Sequence, residues 1–154
     1  MKSVRIFILL ACFLCGIATG YATEKNITKK QLPESVLTSF MSTYPKAKML
    51  NQSIEKEAGT TYYEIESLDG TVRRDLLYTS GGTVHEIEET VNPATLPENI
   101  RASLAKDYPM AKISRAEKVT TDGRLVTYEC GIKIGKKSKS VEFDASGNAL
   151  KPVK

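Results

Sequence analysis

The sequence predicts an α+β fold: two tandem helix-plus-antiparallel-strands repeats forming one continuous antiparallel sheet, with helices on one face. Three observations predict it. The segment LPESVLTSFMSTYPKAKM from Leu32 returns as LPENIRASLAKDYPMAKI from Leu96, 64 residues later. Both copies place apolar residues at helical spacing and close on a Tyr-Pro pair. Short runs of period-two alternation come after each, divided by glycine turns. Self-similarity on this scale marks a repeated supersecondary unit. Alternation with one polar side marks an antiparallel sheet covered on one face only.

The repeat holds residue by residue. Leu32/Leu96, Pro33/Pro97, Glu34/Glu98, Ser39/Ser103, Tyr44/Tyr108, Pro45/Pro109, Ala47/Ala111 and Lys48/Lys112 are identical. After one inserted residue the match resumes at a spacing of 65: Tyr63-Glu64 with Tyr128-Glu129, Leu76 with Val141, Tyr78 with Phe143, Gly82 with Gly147. Each unit opens with a helix. Proline suits a first helical turn, where its missing N–H would find no partner anyway. Glu34 and Glu98 come next, at the positive end of the helix dipole. Val36, Phe40 and Tyr44 form one apolar stripe at i, i+4 and i+8, and Ile100, Leu104 and Tyr108 form the other. Pro45 and Pro109 end the helices, because the residue before proline avoids the α region.

Strands come next. AKMLNQSIEKEAG and AKISRAEKVTTDG alternate weakly and end in turns at Gly59 and Gly123. TYYEIESL sets Tyr63 and Ile65 on one side and Tyr62, Glu64 and Glu66 on the other. LVTYECGIKI sets Val126, Tyr128, Cys130 and Ile132 in phase. TVRRDLLYT alternates Val72, Arg74, Leu76 and Tyr78 against Arg73, Asp75 and Leu77. KSVEFD brings Val141 and Phe143 together, and a glycine turn with a short last strand closes each unit.

The domain reading is residues 1–22 as a signal peptide, 23–92 as the first repeat and 93–154 as the second, the two repeats forming one joined body. Lys2 and Arg5 precede an apolar run from Ile6 to Ala18, with small residues after it, which is the order of a secretory leader. The run is shorter than the roughly 20 residues of a membrane span. Cleavage after Ala22 fits the small-residue rule, as does cleavage after Gly20. LLAC, ending in Cys12, is a partial match to a lipidation site, so anchoring through Cys12 stands as the alternative. The reading is therefore an exported, periplasmic protein. A cut after Ala22 removes two basic residues and no acidic ones, leaving 20 Lys and Arg against 18 Asp and Glu. That balance is no nucleic-acid footprint. Cys130 is then the one cysteine left and can staple nothing within its own chain.

No convergent catalytic set emerges. His85 is the one histidine, and a zinc site asks for three or four ligands. Cys130 has no activating partner in view and reads as a small core residue. Asp69, Asp122 and Asp144 stand singly in turn sequences, whereas calcium asks for six to eight oxygens. The expectation is a non-enzyme without cofactor or metal.

Charge is divided along the chain. Residues 23–92 carry 8 basic and 11 acidic side chains, and residues 93–154 carry 12 and 7. Lys133, Lys136, Lys137 and Lys139 form the sharpest basic cluster, suited to weak association with anionic envelope polymer or lipid.

The ordered set of the LP…F…YP.AK helix, YYEIE, the DG and SGG turns and the duplication resembles the PepSY-like, β-lactamase-inhibitor-protein-like family of exported bacterial proteins, from about Gln31 onward. The resemblance implies helices packed on an antiparallel sheet, outside the cytoplasm. It also implies inhibitors that hold an enzyme against the exposed sheet face. The function expected for this chain is a non-catalytic protein-binding module of the periplasm or envelope. Strand phase puts Tyr62, Glu64, Glu66, Arg73, Asp75, Thr127, Glu129 and Glu142 on the open face as the partner-binding candidates. The alternatives are an inhibitor of an exported peptidase or other hydrolase, and a structural envelope lipoprotein.

Overall fold

The computed structural model describes residues 23–57 and 59–150. The expected signal segment, with Cys12, lies outside the described residues. The elements run β1 (Thr23–Asn26), α1 (Glu34–Thr43), β2 (Lys48–Glu57), β3 (Thr60–Asp69), β4 (Val72–Thr79), β5 (Val84–Thr90), α2 (Glu98–Asp107), β6 (Lys112–Thr121), β7 (Leu125–Ile134), β8 (Lys137–Asp144) and β9 (Ala149–Leu150). Short 3-10 turns at Lys29–Gln31 and Pro93–Thr95 lead into the helices. The strands form a single antiparallel sheet in sequential order from β1 to β9. Among the described residues, no helix is long and apolar enough to cross a membrane.

Both helices pack on the same side of the sheet. Val36 and Phe40 of α1 are fully buried against Ile65, Leu76 and Tyr78, with Leu32 at the helix entry. In the second repeat Ile100 and Leu104 of α2 meet Cys130, Ile132, Val141 and Phe143, with Leu96 at the entry. Each such side chain, once buried, contributes about 1.5–3 kcal/mol. The two clusters are built from corresponding positions, so the duplication is a duplication of core packing.

Two features differ from the sequence expectation. Strand β1 pairs with β2 on the outer edge, Glu24 opposite Glu55, ahead of the first helix. As one continuous sheet requires, β5 pairs with β4 on one side and β6 on the other, and so joins the two repeats. Finally, β2 and β6 each carry an irregularity in register, between Met49 and Asn51 and between Ile113 and Arg115. An extra residue in one strand reverses the phase of the residues beyond it. That is why these strands alternate only weakly in sequence, and it leaves Leu50 exposed.

The Tyr-Pro tyrosines do more than end a helix. Arg74 stands over the Tyr44 ring at 5.0 Å, and Lys139 over the Tyr108 ring at 4.2 Å, donating a 3.0 Å hydrogen bond to its hydroxyl. Arg74 and Lys139 are equivalent positions, so each repeat closes its helix C-terminus with a strand-borne cation on a tyrosine face. Arg74 also donates to Glu89 at 2.5 Å.

Gly82 and Gly147 are a second matched pair. Their φ angles are +83° and +84°, and a Cβ on either would lie within 3 Å of the backbone of Ser35 or Asn99. Hydrogen bonds from Ser35 Oγ to the Ser80 carbonyl and from Asn99 Nδ2 to the Ala145 carbonyl hold the same contact in the two repeats.

Tyr78 breaks the symmetry. Its hydroxyl is buried with no hydrogen-bond partner among the described residues, whereas the equivalent Phe143 has no hydroxyl. An unsatisfied buried hydroxyl costs about 1–3 kcal/mol. Tyr78→Phe is therefore expected to match or exceed the parent in stability, by up to about 1 kcal/mol, in a urea melt. A loss above that size would show that the hydroxyl has a partner after all.

Candidate functional site

The sheet face away from the helices is the candidate site. Residues paired across strands share a face, and the register fixes which ones. Ser53 on β2, Glu64 on β3, Leu77 on β4 and Glu86 on β5 form one row across the sheet. In the next row Glu66 faces Asp75, and Asp75 faces Glu88. Across the junction, Glu117 faces Glu129 and Glu129 faces Glu142. Each repeat thus lays three carboxylates side by side over three adjacent strands.

All eight residues expected on this face are found on it. Accessibility is where the expectation needs correction: Glu64 is 1% exposed and Thr127 4%, so neither is the open contact residue assumed for it. Both lie mid-sheet, where neighbouring side chains crowd from every side, and Ser53 Oγ donates to Glu64 at 2.6 Å. Arg73 donates to Glu66 at 2.5 Å and approaches Asp75 at 3.9 Å. In the second repeat Arg115 takes the matching role, 2.5 Å from Glu129 and 3.5 Å from Glu117. Ser140 Oγ also donates to Glu129. Arg115 was missing from the sequence candidates because the irregularity beside it reverses its phase.

Tyr62 has a partner that local spacing did not suggest. His85 stacks on its ring at 4.5 Å with an interplanar angle of 14°. His85 Nδ1 lies 2.9 Å from Asp122 Oδ1 in the β6–β7 turn. The simple reading of His85 as a solvated strand residue is therefore corrected. It is a part-buried joint between β5 of the first repeat and the Asp122-Gly123 turn of the second. Asp122 and Gly123 both have positive φ, +50° and +65°, as a tight hairpin requires.

The lysine cluster does not act as one patch. Lys139 turns to Tyr108 on the helix side, while Lys133 pairs with Lys112 and falls on the opposite face. Lys136 and Lys137 lie at the exposed β7–β8 turn. Period-two alternation splits what looks contiguous in sequence.

Cys130 is fully buried on the helix side, and burial, then the Glu129 carboxylate, pushes its thiol up to about 11. It stays protonated at neutral pH. The sheet does gather carboxylates that the turn sequences did not foretell. Oxygens of Glu64, Glu66 and Asp75 lie within 4.8 Å of one another, as do those of Glu24, Glu55 and Glu64. They offer a hard cation some of the oxygens it requires.

Burial perturbs two acids on this face. Burial raises the Glu86 carboxyl above its ordinary range, helped by Glu57 and Glu142 and opposed by Thr121 and His85. Burial likewise raises Glu142, with Glu129 adding to it and the Thr127 hydrogen bond opposing. A carboxyl raised in the folded chain binds a proton there before the unfolded chain does. Stability is therefore expected to rise as pH falls from neutral through the raised values toward the ordinary 4.5, and to be lost again as pH climbs back. Melting temperatures across that window check this. The double variant Glu86→Gln with Glu142→Gln should flatten the rise, and an unchanged slope would refute the assignment.

Comparison with known proteins agrees with this architecture. The family model described as "Putative beta-lactamase-inhibitor-like, PepSY-like" matches residues 21–86 and again 82–151. No curated protein matches the chain. Among solved structures, a DUF2874 family protein from Bacteroides uniformis is similar at a TM-score of 0.64 and 11% identity, over 77% of this chain and 86% of that one. A protein named as a "putative periplasmic" protein from Bacteroides eggerthii gives 0.65 and 12%, over 77% and 86%. A BLIP-like protein from Bacteroides fragilis gives 0.59 and 13%, over 77% and 82%.

Proposed function

Because this chain belongs to the beta-lactamase-inhibitor-like, PepSY-like family, we propose that it is a non-catalytic protein-binding module of the bacterial periplasm or envelope, which takes its partner on the sheet face opposite the helices. One observation carries the reading. Both helices and both hydrophobic clusters lie on the same side of the sheet. The other side displays an aromatic and two arginines among carboxylates, side-chain types suited to recognition rather than to packing. Tyr62 is the anchor, since its ring is held by His85 and aromatic side chains dominate interface energetics. The leader-like start of the sequence and the periplasmic name of the Bacteroides eggerthii neighbour support the location.

A sharper form has the partner as an exported hydrolase that the module inhibits. The fold shared with the Bacteroides fragilis BLIP-like protein favours it. The test is affinity capture from envelope extract with the parent protein, with Tyr62→Ala, and with the helix-side variant Arg101→Ala. A partner weakened about tenfold or more by the first change and untouched by the second is the expected result. A partner lost only with Arg101→Ala would place binding on the helices and overturn the reading.

A further inference from the structure

We infer that Asp122 of the second repeat positions the Tyr62 anchor of the first through His85, and that protonation of His85 tightens this hold and strengthens partner binding. This rests on the binding role proposed for the face and adds its regulation. His85 and Asp122 are positioning residues, acting on the partner only through the Tyr62 ring.

The repeat does not call for this trio. At the spacing of 65 residues, Tyr62 corresponds to Thr127 and His85 to Leu150. The second repeat pairs its strands at those positions with neither ring. A backbone event places His85. Tyr78 pairs with Val84 and Leu77 with Glu86, so His85 is the extra residue of a bulge in β5. A bulge re-aims the side chain it carries, here onto the Tyr62 ring. Asp122 then holds His85 twice. Its backbone N–H donates to the His85 carbonyl at 2.7 Å, and its Oδ1 lies 2.9 Å from the ring Nδ1. Asp122 does so at a φ of +50°, the one positive φ on a residue other than glycine among the described residues. Such a conformation persists where surrounding contacts hold it.

Imidazole changes charge between about pH 5 and 8. Protonated, the His85 ring adds a charge to the Asp122 contact and a cation to the stack on Tyr62. The groups around it are drawn from several elements. β3 brings Tyr62 and the β6–β7 turn brings Asp122. Its own strand brings Glu86, near enough for His85 to oppose the rise that burial causes there, and Glu57 of β2 and Glu142 of β8 act on Glu86 in turn. β4 sets Leu77 and Tyr78 across from the bulge. Arg124, at the end of the same turn as Asp122, is exposed. Tyr62 is part-buried, so some of its ring stays open beside the stack. A ring fixed before the partner arrives need not be immobilised on binding. That is worth roughly three- to tenfold in affinity for one interface side chain.

Asp122→Asn isolates the charge, since asparagine tolerates the left-handed backbone and keeps an acceptor oxygen. NMR of the purified full chain comes first and needs no partner. His85 is the one histidine, so its ring signal stands alone, and Tyr62→Phe assigns the Tyr62 ring. Between about pH 8 and 5.5 the Tyr62 signals should move in step with those of His85. In D122N they should move less than about half as far, the charge-assisted contact being lost, while the rest of the spectrum shows an intact fold. The second probe is the envelope polypeptide that the parent captures and Tyr62→Ala does not. It should bind the parent roughly three- to tenfold more tightly at about pH 5.5 than at about pH 8, and bind D122N alike at both. Tyr62 signals that ignore the His85 titration, or that respond equally in D122N, would overturn the inference. Tyr62-dependent capture that is indifferent to pH would overturn it too, and would leave the binding module standing. Coupled ring signals with no Tyr62-dependent capture would overturn the module and keep the positioning of Tyr62 by Asp122.

Discussion

Gly82→Ala is expected to cost about 2–5 kcal/mol, the sum of a left-handed backbone imposed on a residue with a Cβ and a steric clash. The clash is specific. The new Cβ would sit 2.6 Å from the Ser35 carbonyl oxygen and 2.9 Å from its carbon. Those atoms belong to the first turn of α1, so either the helix or the β4–β5 turn must move. A domain of this size has about 5–15 kcal/mol in total, and the melting temperature should fall by roughly 10 °C or more. Gly147→Ala should behave alike, since its Cβ would meet Asn99 at 2.9 Å. Gly59→Ala separates the two causes: φ there is +85°, but nothing lies within 4 Å. It should cost only about 1–2 kcal/mol. Equal losses at Gly59 and Gly82 would remove the helix contact from the explanation.

Phe40→Ala is expected to be as damaging, about 3–5 kcal/mol. The ring is fully buried, leans on Tyr44 at 5.8 Å between centroids and fills the space above Ile65, Leu76 and Tyr78. Removing it leaves a cavity between a helix and a sheet whose backbones cannot close the gap. The equivalent Leu104→Ala should cost about 2–5 kcal/mol, with less volume lost. Met41, next in sequence but exposed, gives the control: Met41→Ala should stay within about 0.5 kcal/mol. Denaturant melts of the three variants check the ranking. If Phe40→Ala proved as mild as Met41→Ala, α1 would not be anchored through this face.

These two expectations come from different layers of information. Phe40 was legible in the sequence, because helical spacing and its echo at Leu104 marked the buried stripe. The glycine was legible only as a repeated turn residue. That a helix backbone presses against it depends on how α1 lies over the β4–β5 turn. Strand phase was legible wherever alternation ran unbroken, as in β3, β4 and β7, and it put Tyr62, Arg73 and Glu129 on one face. It was not legible through the irregularities of β2 and β6, where Arg115 was missed. Lys139 shows the same limit from another side. In sequence it sits in a basic cluster, yet the strand turns it onto Tyr108.

By itself the sequence determined the repeat, the two helices with their proline-bounded ends, the one-sided alternation and the class of fold. Those are local properties, set by spacing and by the conformational limits of proline and glycine. Register is not local. It is fixed by pairing between segments far apart in the chain, and a shift of one residue would exchange the faces. Tertiary structure alone therefore decided that His85 reaches Tyr62 and Asp122, and that carboxylates from six strands align into two rows across the open face.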